Sequence, residues 1–214
     1  MFSEKLKKSE NIWDNFSIWN VWVFLNRLTF SFIDDDKSEF VEESMTNRKT
    51  NIVPFEMKYS NEYYDGFNTE ITKYQWPDPF RTVDDAKELL QEFLDEMKKD
   101  ETLLFAVVDS EERFVGSVEM HGLSEDCPEV GVWICEPEQG KGYAYEALSY
   151  ILHFAQDKYG KKNFFYEADV RNVGSTKLLN KFSNLYEINT LGVEELVTDS
   201  GKELKLQGSV MKVK

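Results

Sequence analysis

The stretch "EVGVWICEPEQGKGYAYEAL", residues 129–148, constrains the fold more than any other part of the chain. "EVGVWIC" reads as a strand, and Ala144, Ala147, Leu148, Ile151 and Ala155 then recur on one face of a helix ending near Gly160. Between the two, the chain has to reverse through Pro137, Gly140 and Gly142. The glycines permit a tight turn and remove side chains that would hold a ligand away from the backbone. The helix opens with amides that have no intrahelical acceptor and with the positive end of its dipole. Strand, glycine turn and helix together make a place for an anion, with Lys141 adding a charge beside it.

Spacing decides which anion. A P-loop needs GxxxxGK followed by Ser or Thr, whereas here Tyr143 follows Gly142. A dinucleotide fingerprint needs a third small residue where Tyr145 stands. Both are rejected. What remains is Gln139, Gly142 and Ala144 in the spacing QxxGxA, a turn that suits a pyrophosphate.

The flanking sequence surrounds this unit with a sheet. "NIVPFEM" from residue 51 is a short strand, followed by a Tyr-rich polar stretch and the turn "WPDP". Ala86, Leu89, Leu90, Phe93, Leu94 and Met97 form a helical stripe behind the cap "TVDD". "LLFAVV" and "RFVGSVEM" are strands joined by "DSEE". After the central helix, Phe164, Tyr166, Ala168 and Val170 alternate as a strand, "NVGSTKLLNKF" makes a short helix, and "LYEI" starts another strand. "EELV" and "ELKLQGSVMKV" form a hairpin across "TDSGK". A β-meander precedes the central helix, so the class is α/β of the α+β kind, with a mixed sheet rather than a repeating βα array. Residues 1–48 read as an aromatic-rich extension of helical or mixed structure. It packs on the main domain, residues 49–214, or offers a homodimer surface or a lid.

The net charge of −15 argues against a nucleic-acid partner, whose phosphates need Lys and Arg. It agrees with a cationic substrate, though acidic surfaces also serve solubility. Cys127 and Cys135 lie too close in one extended run for a bridge, and no Cys/His cluster supports a metal site. Free thiols suit a reducing, cytoplasmic setting. The N-terminal run without charges, residues 15–26, falls short of the roughly 20 apolar residues a membrane span needs. Glu10 and Asp14 interrupt the start that a signal peptide would require.

In this context the QxxGxA turn resembles motif A of the GCN5-related N-acetyltransferase superfamily, Q/R-x-x-G-x-G/A. Gln139, Gly142 and Ala144 match every specified position. "RNVGSTKLL" supplies the N-x-x-S of a second motif through Asn172 and Ser175, and the phrasing looks most like the branch of ribosomal-protein N-terminal acetyltransferases. The resemblance covers roughly residues 51–190. It implies a largely antiparallel twisted sheet of about seven strands with helices on both faces. It implies acetyl-CoA as co-substrate and no metal. The backbone of Trp133, Ile134 and Cys135 would pair with the pantetheine arm, and Gln139, Gly140, Lys141, Gly142, Tyr143 and Ala144 would hold the pyrophosphate. Asn172 would bond the cofactor arm and Ser175 would lie near the sulfur. Many members carry a Tyr where this chain has Leu179, and a Gly-Phe where it has Ser183-Asn184.

The implied reaction is attack of an amine on a thioester. An alkylammonium is mostly protonated at neutral pH, so a base has to remove a proton. Glu119 and Glu129 are the candidates, with Ser175 a substitute for the missing phenol. His121 has a suitable pKa but reads as a surface residue at a strand end. Cys135, without a paired His, reads as structural. The expected activity is acetyl-CoA-dependent acetylation of a peptide α-amino group or a small amine. Leu179 keeps a second reading open, a catalytically silent acetyl-CoA-binding module.

Overall fold

A computed structural model describes residues 50–198 and 200–214. The expectations for the extension, residues 1–48, lie outside the described residues.

The first strand, β1 (Thr50–Pro54), leads through a 3-10 turn into a short helix, α1 (Ser60–Gly66). A second helix, α2 (Val83–Met97), precedes the meander β2 (Thr102–Asp109), β3 (Phe114–His121) and β4 (Glu129–Ile134). The long helix α3 (Tyr143–Tyr159) follows, then β5 (Asn163–Asp169), α4 (Val173–Asn180) and the hairpin β6 (Tyr186–Val197) and β7 (Glu203–Val213). The seven strands form one sheet in the order β1-β2-β3-β4-β5-β7-β6. Every neighbouring pair is antiparallel except β4 and β5.

Local chemistry explains the boundaries. Thr82 caps α2 in a capping box: its hydroxyl accepts from Asp85 N–H at 3.2 Å, and its own N–H donates to the Asp85 carboxylate at 2.9 Å. Asp109 closes the β2–β3 turn by accepting from the Glu111 and Arg113 amides and from the Arg113 guanidinium. Gly160, in the left-handed region, ends α3 where the sequence placed its end.

Strand alternation divides the core into two layers. Leu103, Phe105, Val118, Val130, Ile134, Phe164 and Tyr166 pack under Leu148, Ile151 and Leu152 of α3, with Leu178 and Leu179 of α4 against the same layer. On the other face Leu104, Ala106, Val108 and Trp133 meet Tyr63 of α1, Phe67 just beyond it and Leu90 of α2. The mixed sheet with helices on both faces is therefore as expected. Two details differ. The Tyr-rich stretch contains α1, which is held by Tyr63 packing edge-on to Trp133 at 5.0 Å rather than by helical periodicity. "LYEI" and "EELV" belong to one strand, β6, with an irregularity between Thr190 and Val193 that a linear pattern reads as a break.

Candidate active site

The parallel pair β4 and β5 touches at one register position, Glu129 opposite Phe165, where Phe165 N–H donates to Pro128 O at 2.9 Å. Beyond it the strands separate, and the sheet opens in a V at their C-terminal ends. Cys135 N–H donates to Val115 O across β3, and the register runs Ser117–Trp133 and Glu119–Gly131. By alternation, Gly131, Trp133 and Cys135 turn their backbone groups to β3, while Val132 and Ile134 turn theirs into the V. Of the expected trio, Trp133 and Cys135 pair their backbone with β3, whereas Ile134, like Val132, turns its backbone away from it; pairing partners are invisible in a linear sequence.

At the mouth of the V the chain leaves β4 through a 3-10 turn, Glu136–Glu138, and enters α3 at Gly142. Gly140 and Gly142 have φ of 77° and 103°, and a Cβ built on either would meet nothing within 4 Å. Both conformations are ones that side chains resist, and the space beside them is open. Among the described residues, no amide from Gly140 through Ala144 donates to a protein acceptor; Tyr145 and Glu146 N–H both return to Gly142 O. That is a row of donors at the positive end of a helix of 17 residues. Gln139 braces the row, its side-chain amide donating to Ile134 O at 3.0 Å. Lys141 Nζ sits on Glu138 at 2.8 Å, an exposed pair weak enough to exchange for another anion. Tyr143 and Ala144 are half-buried against the α3 layer.

The opposite wall of the V begins at α4. Asn172 caps this helix, its Oδ1 accepting from Ser175 N–H at 3.1 Å, so its NH₂ is the group left for a ligand. Ser175 is half-buried beside Tyr166 of β5, whose phenol is pushed up by burial and tempered by Ser175. Leu179 packs into the core. Tyr166 is the phenol on this wall, and it comes from the strand rather than the helix.

On the α1/α2 face, Ser117, Glu119 and His121 of β3 stand in a row beside Trp133, Gly131 and Glu129 of β4. Ser117 Oγ, Glu119 Oε2 and Trp133 Nε1 are buried with no hydrogen bond within 3.5 Å among the described residues. The buried phenol of Tyr63 faces the same row and interacts with Ser117 and Trp133. Glu119 lies across Gly131: a Cβ at that glycine would stand 3.2 Å from Glu119 Oε1. Its Oε2 is 3.8 Å from His121 Nε2. His121 is not the surface residue expected, since its side chain is only 28% exposed. Burial acts most strongly on its pKa and lowers it, yet Glu119, Glu129 and Glu96 outweigh burial and the pKa rises. Burial pushes Glu129 up, against the lowering effect of His121 and with the help of Glu119 and Glu125, and burial followed by Glu129 and Glu194 pushes Glu167 up. Cys135 is free, and burial raises its thiol, the opposite of an activated thiolate. Among the described residues no group of three or more His, Cys, Asp or Glu could hold a metal.

The acetyltransferase (GNAT) domain family matches residues 51–182. The chain belongs to this family. It is thereby an enzyme of the N-acetyltransferase class, carrying the seven-stranded GNAT fold. Among solved structures, spermidine N-acetyltransferase from Vibrio cholerae in complex with CoA and spermine is 17% identical with a TM-score of 0.65, covering 78% of this chain and 97% of that one. The microcin C7 self-immunity acetyltransferase in complex with acetyl-CoA and AMP is 17% identical with a TM-score of 0.66, covering 78% and 94%. At these identities the likeness is one of fold. No curated protein sequence matches significantly. No helix among the described residues is long and apolar enough to cross a membrane.

Proposed function

We propose that this chain transfers the acetyl group of acetyl-CoA to a primary amine by direct attack. The observation that carries the reading is the row of unpartnered amides from Gly140 through Ala144 at the mouth of the V. The row fits a diphosphate: donors without acceptors, two open left-handed glycines and a helix dipole. Val132 and Ile134 would pair with the amides of the pantetheine arm as an added strand would, and Asn172 would close on the arm from α4.

Glu119 is the base in this reading, and Glu129 lies further out on the same row. Glu119 combines a buried oxygen without a partner with a position over Gly131, beside the point where β4 and β5 separate. One ammonium proton passes to Glu119, the nitrogen bonds to the thioester carbon, and the C–S bond breaks. The second proton follows the thiolate, with Ser175 and Tyr166 the hydroxyls on that wall. Glu129, Glu167 and Glu194 influence one another across β4, β5 and β6 and favour a cationic acceptor. A small polyamine fits better than a ribosomal-protein N-terminus, and the solved structures reported above are not of the ribosomal-protein branch. The catalytic unit is residues 49–214, acting in the cytoplasm.

Incubation with acetyl-CoA and a panel of diamines, polyamines, monoamines and peptides, following thiol release, tests this. Polyamine-dependent release is expected. Binding of acetyl-CoA without acceptor-dependent release would favour the silent module. Gly142→Asp places a carboxylate among the amides and should weaken CoA binding at least about tenfold; unchanged affinity would remove the diphosphate site.

A further inference from the structure

We infer that His121 is the proton relay behind Glu119, and that Thr102 and Glu96 are positioning residues that fix its tautomer. This rests on the acetyl-transfer reading and adds to it where the proton goes. The β2–β3 register sets Thr102 directly opposite His121. Thr102 Oγ1 donates to Glu96 Oε2 at 2.7 Å, a carboxylate that only accepts. The hydroxyl proton is thereby committed, so toward His121 Nδ1 at 3.3 Å the threonine oxygen can only accept. The proton of a neutral imidazole therefore sits on Nδ1. Nε2 is left as a lone pair facing Glu119 Oε2 at 3.8 Å, and once Glu119 has taken a proton a small side-chain rotation closes that separation to a hydrogen bond donated by the carboxylic acid. Phe93 of α2, its ring centroid 4.9 Å from the imidazole, holds the ring plane.

Glu119 takes one proton from the acceptor ammonium and passes it to Nε2, which restores the carboxylate. The imidazolium so formed lies among Glu119, Glu129 and Glu96, the charged groups acting on it from β3, β4 and α2, and it releases the Nε2 proton to water, which restores the Nδ1–H tautomer for the next turnover. Without such a step each turnover would leave Glu119 protonated in a half-buried site. Thr102 and Glu96 touch neither substrate nor the reacting atoms. They act by denying the ring its other tautomer, which would aim an N–H at Glu119 and block the transfer.

Long-range ¹⁵N–¹H correlation spectra of the full chain, recorded above the pH at which the His121 ring nitrogens finish titrating, read the tautomer directly. The Nδ1–H form is expected for His121, and Thr102→Val should shift the population toward Nε2–H. With a polyamine acceptor, His121→Gln should lower kcat/KM about 10- to 100-fold near neutral pH. It should also erase the imidazole-linked limb of the pH profile and leave the affinity for CoA unchanged. An Nε2–H tautomer in the native protein, or an unmoved pH limb in His121→Gln, overturns the relay while acetyl transfer stands. If no amine is acetylated at all while CoA binds, the relay falls together with the acetyl-transfer reading.

Discussion

Gly131 shows how much a single missing side chain can decide. Its φ is ordinary, so alanine is permitted by the backbone, but the new Cβ would lie 3.2 Å from Glu119 Oε1 and 3.4 Å from its Cγ. The carboxyl group would have to move by a few tenths of an ångström, away from the place where the strands part. Gly131→Ala should therefore lower kcat at least about tenfold, since small misplacements of catalytic groups are costly. The melting temperature and CoA affinity should stay close to those of the native protein. Steady-state kinetics beside a thermal melt check this, and an unchanged kcat would take Glu119 out of the chemistry. Gly140 and Gly142 carry a different burden. They occur where the chain adopts positive φ, and the tight turn read from the sequence takes that form because no other residue adopts such angles as freely.

At the scale of elements, the V depends on both of its walls being held. The β5–α4 corner is held by Asp169, which is fully buried. Its Oδ1 accepts from Arg171 N–H and Nε, and its Oδ2 accepts from Arg171 Nη2 and Lys205 N–H. The Arg171 guanidinium, with these amides, outweighs burial and holds the Asp169 carboxyl down to about 2. A folded pKa below the ordinary 3.8 means the stabilisation is complete above that value and disappears as pH falls through about 2. Asp169→Asn keeps one acceptor and points an NH₂ at donors, so it should cost about 2–3 kcal/mol. Denaturant melts of the two proteins should differ at pH 7 and converge as the pH approaches 2. A constant difference down to that pH would mean the carboxylate charge is not what holds the corner. α2 and α3 were legible because their apolar stripes and caps are local. α1 was not, because its reason to be helical is an indole on a distant strand.

For the whole molecule, the charge of −15 is not spread without pattern. Glu119, Glu129, Glu167 and Glu194 influence groups on the same stretch of sheet, where their fields reinforce one another. A polycation approaching that stretch gains from each of them, and added salt screens the gain over about 8–10 Å. KM for a polyamine should rise severalfold between low and physiological ionic strength, while KM for an uncharged amine of similar size stays level. Equal salt dependence for both would show that the acidic stretch plays no part in choosing the acceptor.

By itself the sequence determined the turn: a strand, two closely spaced glycines and an amphipathic helix leave few arrangements, because each is enforced by local sterics and periodicity. The mixed sheet followed from the order of its strands. Only the tertiary structure decided which amides of β4 face the opening, and only it set His121, at the strand end, between Thr102 and Glu119. Those outcomes depend on register between strands far apart in the chain. Register is a property of pairing, and a one-dimensional pattern does not record which partner each strand takes.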